Sequence, residues 1–387
     1  MNKIKVSDIL AQGISSYLER HKLSWKQRKV VNKIINCGSP SSPRQKIVCT
    51  NEDCGYEIVR SKPCGDRHCN RCNNSKMLKW LSKMMKEYLP LMYHHLVFTL
   101  PSELHNLIIC NQKVIYEIFF KSCFEVLKKF GRDAKYYGGE IGFIGLLHTW
   151  GQTLCYHPHI HFMVMSGGIR NREFKLLPYP EKFLFPVEAM SKVMMGVFIE
   201  KLKYSYQSGK LNFPGELEKI STEQKFNSYL WFLSKKEWVI FNKPPLNGSS
   251  KVLEYLSRYT HKIAISNSRI KEYSNKEVTF EYKDYKDKDD IGIAKKKLLK
   301  LSEEEFIRRY LLHILPEGFR KLRYGGIFAS NKKKLSFSII KEYYKEILDK
   351  LKKQTNDWYV KVRNYVEFLC PDCNKKLKLC HVFYDSA

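Results

Sequence analysis

Apolar residues recur at helical spacing through the first 45 positions: Ile4, Ile9, Leu10, Ile14 and Leu18, then a second run from Trp25 to Ile35. One side of a helix returns every three or four residues, so this stretch predicts two helices, ended by the turn cluster CGSPSSPR. From Lys46 to about Asn74 the pattern breaks up into short strand-like pieces, KIVCT and YEIVR, among Cys, Gly and charge. A segment of that composition cannot build a core without metal. Ser75 to Leu89 patterns as a basic amphipathic helix closed by Pro90.

The middle of the chain alternates its periods. HHLVFTL, His94 to Leu100, reads as a strand, Asn106 to Phe130 as a long helix, and IGFIGLLHTWG with YHPHIHFMVMSGG as the two strands of a hairpin. Val187 to Tyr204 reads as a helix, WVIFNKPP as a strand and Lys251 to His261 as a helix. Lys271 to Asp284 reads as strands before the polar loop KDKDDIG. The Lys-rich run Lys295 to Lys300 is expected to be a solvated helix start or a phosphate contact. Ser302 and Glu305 then form a capping box for a helix ending near Leu315, with Pro316 and Gly318 as stop signals. The predicted class is α+β, an antiparallel sheet flanked by helices, with an N-terminal zinc-binding module.

Charge narrows the partner. Lys and Arg number 68 against 39 acidic residues, a formal +29, and a surplus of that size favours a polyanion, nucleic acid before an anionic membrane surface. The 24 Tyr and 22 Phe scattered among basic residues suit single strands, whose bases stack on aromatic rings. No apolar run approaches the length of about 18 residues needed to span a membrane, and Met1 to Leu10 lacks the apolar core of a signal peptide, so a soluble, intracellular protein without a membrane partner is expected.

Three constellations carry candidate chemistry. Six of the twelve cysteines fall between Cys37 and Cys72 and three between Cys370 and Cys380, a clustering that points to metal rather than disulfides in a chain of this kind. Cys49 and Cys54 form one short-spaced pair and Cys69 and Cys72 another, and together they can supply a tetrahedral Zn²⁺ site. Cys37, Cys64 and His68 leave room for a second ion. In the tail, Cys370 and Cys373 with Cys380 and His381 could complete a further zinc knuckle.

The second constellation is YHPHIH. Residues two apart on a strand share a face, so His159 and His161 present two imidazoles to one side while Ile160 enters the core, an arrangement suited to a divalent metal. His157 has the same parity. The third ligand is expected from the neighbouring strand: His148, brought opposite by a turn near Gly151 to Leu154, with Gln152 and Glu140 as alternatives. The third is Tyr255 and Tyr259 in VLEYLSRYTHKIAIS, two phenols on one helix face with Arg258, His261 and Lys262 around them, a setting for phosphodiester chemistry and DNA contact.

Together, the histidine–hydrophobic–histidine motif and the later tyrosine pair resemble the two-tyrosine HUH rolling-circle transposases of bacterial insertion sequences. GDRHCNRC, HLVFTLP, LLHTWGQTLCYHPHIH, YLSRYTHKIAIS and FIRRYLLHILPEGFRKLRYGG are similar, in this order, to blocks of the branch named after insertion sequence ninety-one (IS91). The resemblance spans roughly residues 30 to 330. It implies an HUH endonuclease-like sheet and transposition of single-stranded DNA, with Tyr255 and Tyr259 as nucleophiles and 5′-phosphotyrosine intermediates. It also implies catalytic Mg²⁺ or Mn²⁺ on His148, His159 and His161, structural Zn²⁺, and single-stranded transposon-end and target DNA as partners in the nucleoid of the bacterial cytoplasm. No phosphate-binding GxxxxGK[ST] loop is present, so no nucleotide cofactor is expected. The implied organisation is a helical segment 1–45, a zinc module and linker helix 46–90, the HUH domain with the tyrosine helix 91–270, a basic α/β region 271–345 and a tail 346–387. The alternatives are a plasmid replication initiator or relaxase with the same chemistry, and a non-catalytic zinc-dependent DNA-binding protein.

Overall fold

The computed structural model describes residues 4–73, 92–176, 184–246, 262–343, 345, 370–373 and 375–383. The expected linker helix, Ser75 to Leu89, and the expected tyrosine helix lie outside them. The class is α+β as read from sequence, and the strand pairings among the described residues are antiparallel.

The chain opens with α1 (Val6–Arg20) and α2 (Trp25–Ile35). At α2 the Ser24 hydroxyl accepts from the Gln27 amide while the Gln27 side chain accepts from the Ser24 amide, a reciprocal cap. Strands β1 (Arg44–Cys49) and β2 (Glu57–Ser61) follow as a hairpin, then β3 (Tyr93–Thr99). The helical stretch after β3 is two helices, α3 (His105–Cys110) and α4 (Gln112–Arg132), broken at Asn111, whose side chain bonds the Leu107 carbonyl and the backbone of Asn212. A side chain that competes for backbone partners in this way interrupts a helix.

Strands β4 (Glu140–Trp150) and β5 (Tyr156–Arg170) form the expected hairpin, extended by β6 (Glu173–Leu176). The order continues α5 (Val187–Gln207), α6 (Glu223–Ser234), β7 (Ile240–Leu246), β8 (Ile270–Ser274), β9 (Glu277–Lys288), β10 (Ala294–Ser302), α7 (Glu303–Leu312), β11 (Leu322–Gly326), α8 (Lys333–Tyr343) and β12 (Leu377–Phe383). The central sheet runs β11-β4-β5-β3-β7, with β6 on β5. One face, through Leu96, Phe98, Leu147, Ile160 and Phe162, packs on α4 and α5.

The Lys295–Lys300 run corrects the expectation of a helix start. It lies in β10, paired along β9, where Lys297 meets Asp284 and Asp287 at 2.9 Å and Lys296 meets Glu281 at 3.2 Å. Opposite charges facing each other across two strands favour the sheet. Ser302 does cap α7, accepting from the Glu305 amide at 3.3 Å, but the Glu305 carboxylate turns to Arg308 and Arg309.

A second apolar core joins segments far apart in sequence. Val6, Ile9 and Leu10 of α1 and Val30 and Ile34 of α2 pack with Cys69, Cys72, Ile265, Phe280, Phe306, Ile307 and Tyr310. Gly13 permits the close approach of α1 to α7, since a Cβ there would stand 2.6 Å from Ile307 Cδ1. No described helix is long and apolar enough to cross a membrane.

Candidate active site and cysteine clusters

Register builds the histidine site. His148 on β4 faces His159 on β5 directly, and His161, two residues along β5, shares their face. The ring centroids lie 5.5 Å apart for His148 and His159, 4.8 Å for His148 and His161, and 4.8 Å for His159 and His161. One ring nitrogen from each falls within 4.8 Å of the others. Ile160, fully buried on the opposite face, fixes which way the pair points.

Partners orient the rings. His159 Nδ1 stands 2.6 Å from the His157 carbonyl oxygen, so Nδ1 carries the proton and Nε2 is left as a ligand atom. His161 Nδ1 meets Nε2 of His95, on β3, at 2.9 Å. Trp150 stacks on His148 at 4.7 Å. Burial holds the His159 imidazole down to about 4, and burial together with the neighbouring His148 and His159 holds His161 well below its ordinary range. His159 and His161 are therefore neutral near pH 7, the form in which imidazole binds metal.

The other candidates for the third ligand are engaged elsewhere. Glu140, at the far end of β4, pairs with Arg132 at 2.7 Å and Lys332 at 2.6 Å. Gln152, in the β4–β5 turn, accepts from the Lys283 amide and bonds the Tyr285 hydroxyl. Sequence reasoning missed His95: its only signal was a second histidine in a predicted strand, with a parity that could be interpreted only once β3 was known to lie beside β5.

The histidines line an open cleft of ≈ 990 Å³ that also holds Phe241, Lys262, Arg269 and Tyr285. Phe241 is 54% exposed and Tyr285 62%, two rings presented to solvent among cations. The Lys262 ammonium is held below the lysine range by loss of solvent around it, then by Arg269 and Lys283. Tyr255, Arg258, Tyr259 and His261 lie outside the described residues.

The cysteines group differently from the expected pairing. Cys37, Cys64, Cys69 and Cys72 form one cluster, and Cys49, Cys54, Cys370 and Cys373 another. The pairing of Cys49 and Cys54 with Cys69 and Cys72 is thus replaced. Cys69 and Cys72 are buried in the second apolar core, whereas Cys54 sits at the tip of the β1–β2 hairpin, before the left-handed Gly55. In the first cluster Cys72 Sγ lies 3.5 Å from Cys37 Sγ and 3.6 Å from Cys64 Sγ. His68 is no member of it. Its Nδ1 donates to Asp66 at 2.8 Å while its Nε2 accepts from the Leu315 amide at 3.3 Å, so both nitrogens are used. In the tail, Cys380 and His381 lie on β12 and Cys380 stays outside the cluster that takes Cys370 and Cys373.

Known proteins agree with this architecture. A family model described as "Putative transposase" matches residues 142–335, and one described as "Transposase zinc-binding domain" matches residues 9–100. The chain is 36% identical over 327 residues to the "Putative transposase y4qJ" of Sinorhizobium fredii, covering 84% of this chain and 80% of that protein. It is 26% identical over 303 residues to the transposase for insertion sequence element IS801 of Pseudomonas savastanoi pv. phaseolicola, covering 78% and 70%. These matches define an insertion-sequence transposase with a zinc-binding domain. The chain belongs to the IS91 family.

Proposed function

We propose that this transposase cuts and rejoins single-stranded DNA by tyrosine transesterification, moving its element by a rolling-circle route. The observation that carries the reading is the convergence of His148, His159 and His161 on the cleft face of β4 and β5. These three residues would hold a divalent cation, Mg²⁺ or Mn²⁺, which when bound supplies positive charge against the non-bridging phosphate oxygens in the transition state. The hydroxyl of Tyr255 or Tyr259 attacks the phosphorus; the P–O3′ bond breaks as the phenolic P–O bond forms, and the phenol proton passes to the departing 3′ oxygen. The products are a 5′-phosphotyrosine and a free 3′-hydroxyl. The bond energy is conserved in the link, so no nucleotide is consumed, and the second tyrosine can hold a second strand. Lys262 and Arg269 would contact phosphates, and Phe241 and Tyr285 would stack on bases. Cys37, Cys64, Cys69 and Cys72 would hold the Zn²⁺ of the zinc-binding domain.

The test is incubation with labelled single-stranded transposon-end DNA and Mn²⁺ or Mg²⁺, followed by a denaturing gel. Wild-type protein is expected to give a covalent protein–DNA band that survives in Tyr255→Phe and Tyr259→Phe singly and disappears in the double variant. Binding without any adduct would instead favour a non-catalytic zinc-dependent DNA-binding protein.

His95 is expected to act as a positioning residue for His161. Partners of this kind typically contribute about 10–100-fold to metal affinity. In His95→Phe the Mn²⁺ dissociation constant, read by titration calorimetry, should rise by about that factor while DNA affinity and melting temperature hold, and His95→Gln should recover part of it. An unchanged constant in His95→Phe would remove the role.

A further inference from the structure

We propose that Cys49, Cys54, Cys370 and Cys373 form a second, four-cysteine zinc site that staples the C-terminal strand to the N-terminal module. The matched zinc-binding domain ends at residue 100 and so contains only half of these ligands. Four sulfurs around one Zn²⁺ at about 2.3 Å stand about 3.8 Å from one another, whereas a disulfide brings two to about 2.05 Å. Here Cys49 Sγ lies 3.4 Å from Cys373 Sγ and Cys54 Sγ lies 3.5 Å from Cys370 Sγ, with all four within 4.8 Å. That is the spacing of a metal cluster.

The backbone is arranged for thiolates. The Asn51 amide donates to Cys49 Sγ at 3.4 Å, and the amides of Tyr56 and Lys375 are directed at Cys54 and Cys373. Donation from the amide two residues on is how a short turn stabilises a metal-bound sulfur. Strand pairing holds the two halves together. β12 runs antiparallel to β1 with Leu377 opposite Cys49, and the Thr50 amide donates to the Lys376 carbonyl at 2.8 Å.

Among the described side chains of β1, β2 and β12, none joins either apolar core, and Ile58, Val59 and Val382 are exposed. A three-stranded sheet without a core of its own is marginal in water, and metal binding supplies what burial does not. Lys375 and Lys376, two and three residues after Cys373, supply positive charge next to the double negative charge of a Zn²⁺ with four thiolates.

The test is metal stoichiometry of the full-length protein by native mass spectrometry, with Co²⁺ substitution to read the ligand set. Wild-type protein should carry two zinc ions per chain, and both Co²⁺ ions should show four-thiolate absorption. Cys370→Ser/Cys373→Ser should carry one, and amide exchange should show β12 losing protection while α1 keeps it. Cys373→His, which retains a ligand, should keep two ions. Cys72→Ser should empty the other site, which separates a failure here from a failure of the family's zinc domain. One zinc in wild-type protein, two in the double serine variant, or a Cys49–Cys373 disulfide in freshly purified protein would overturn the proposal.

Discussion

Replacing His159 or His161 by alanine is expected to abolish the covalent protein–DNA adduct while leaving affinity for single-stranded DNA within about twofold. Both imidazoles are neutral, so their removal takes no positive charge from the phosphate-binding surface, whose cations Lys262 and Arg269 stand beside them in the cleft. Charge stabilisation by a bound cation contributes several kcal/mol to such a transition state, and a loss of about 4 kcal/mol lowers the rate about a thousandfold. His148→Ala should behave alike, because its ring completes the same triangle from the facing strand. Adduct yield on a denaturing gel and fluorescence anisotropy of the same DNA check the two halves. A parallel fall in binding would show that the histidines only hold the sheet together.

The second large effect is expected at Cys72, which is both a sulfur of the first cluster and part of the apolar core joining α1 and α2 to residues 264–314. Cys72 Sγ lies 3.5 Å from Cys37 Sγ and 3.6 Å from Cys64 Sγ, close to the spacing of sulfurs sharing one Zn²⁺. Structural zinc contributes about 10–16 kcal/mol in small zinc modules. Cys72→Ser should therefore forfeit about 5 kcal/mol or more of local stability and lower the melting temperature by about 10 °C or more. Zinc content and a thermal scan check this, with Cys110→Ser, an exposed thiol outside both clusters, as the control that should change neither. A Cys72→Ser protein with full zinc and an unshifted transition would remove Cys72 from the ligand set.

What could be read in the sequence follows from what spacing encodes. The His159–Ile160–His161 alternation sets which side chains share a face, and the short β4–β5 connection limits what can lie opposite, so His148 was legible before any fold was known. Cysteine pairing was not. Cys69 and Cys72 are local neighbours, but Cys37 joins them by the packing of α2, and Cys370 and Cys373 reach Cys49 and Cys54 only through the pairing of β12 with β1. His95 was hidden for the same reason, since its role depends on β3 lying beside β5. The Lys295–Lys300 run misled because its acidic partners face it across a hairpin.

The packing of α1 on α7 and of β1 on β12 also bears on how the protein is made. Cys49 and Cys373 are separated by 324 positions, and His21 and its partner Glu304 by 283. Contacts of such high order form only after the intervening residues have left the ribosome, roughly 15 to 65 s at about 5–20 residues per second. Helices α1 and α2 thus wait, without their final partners, for residues 264–314. A translation product stopped short of residue 303 leaves that partnership unmade, so an assembled second core requires translation through residue 314.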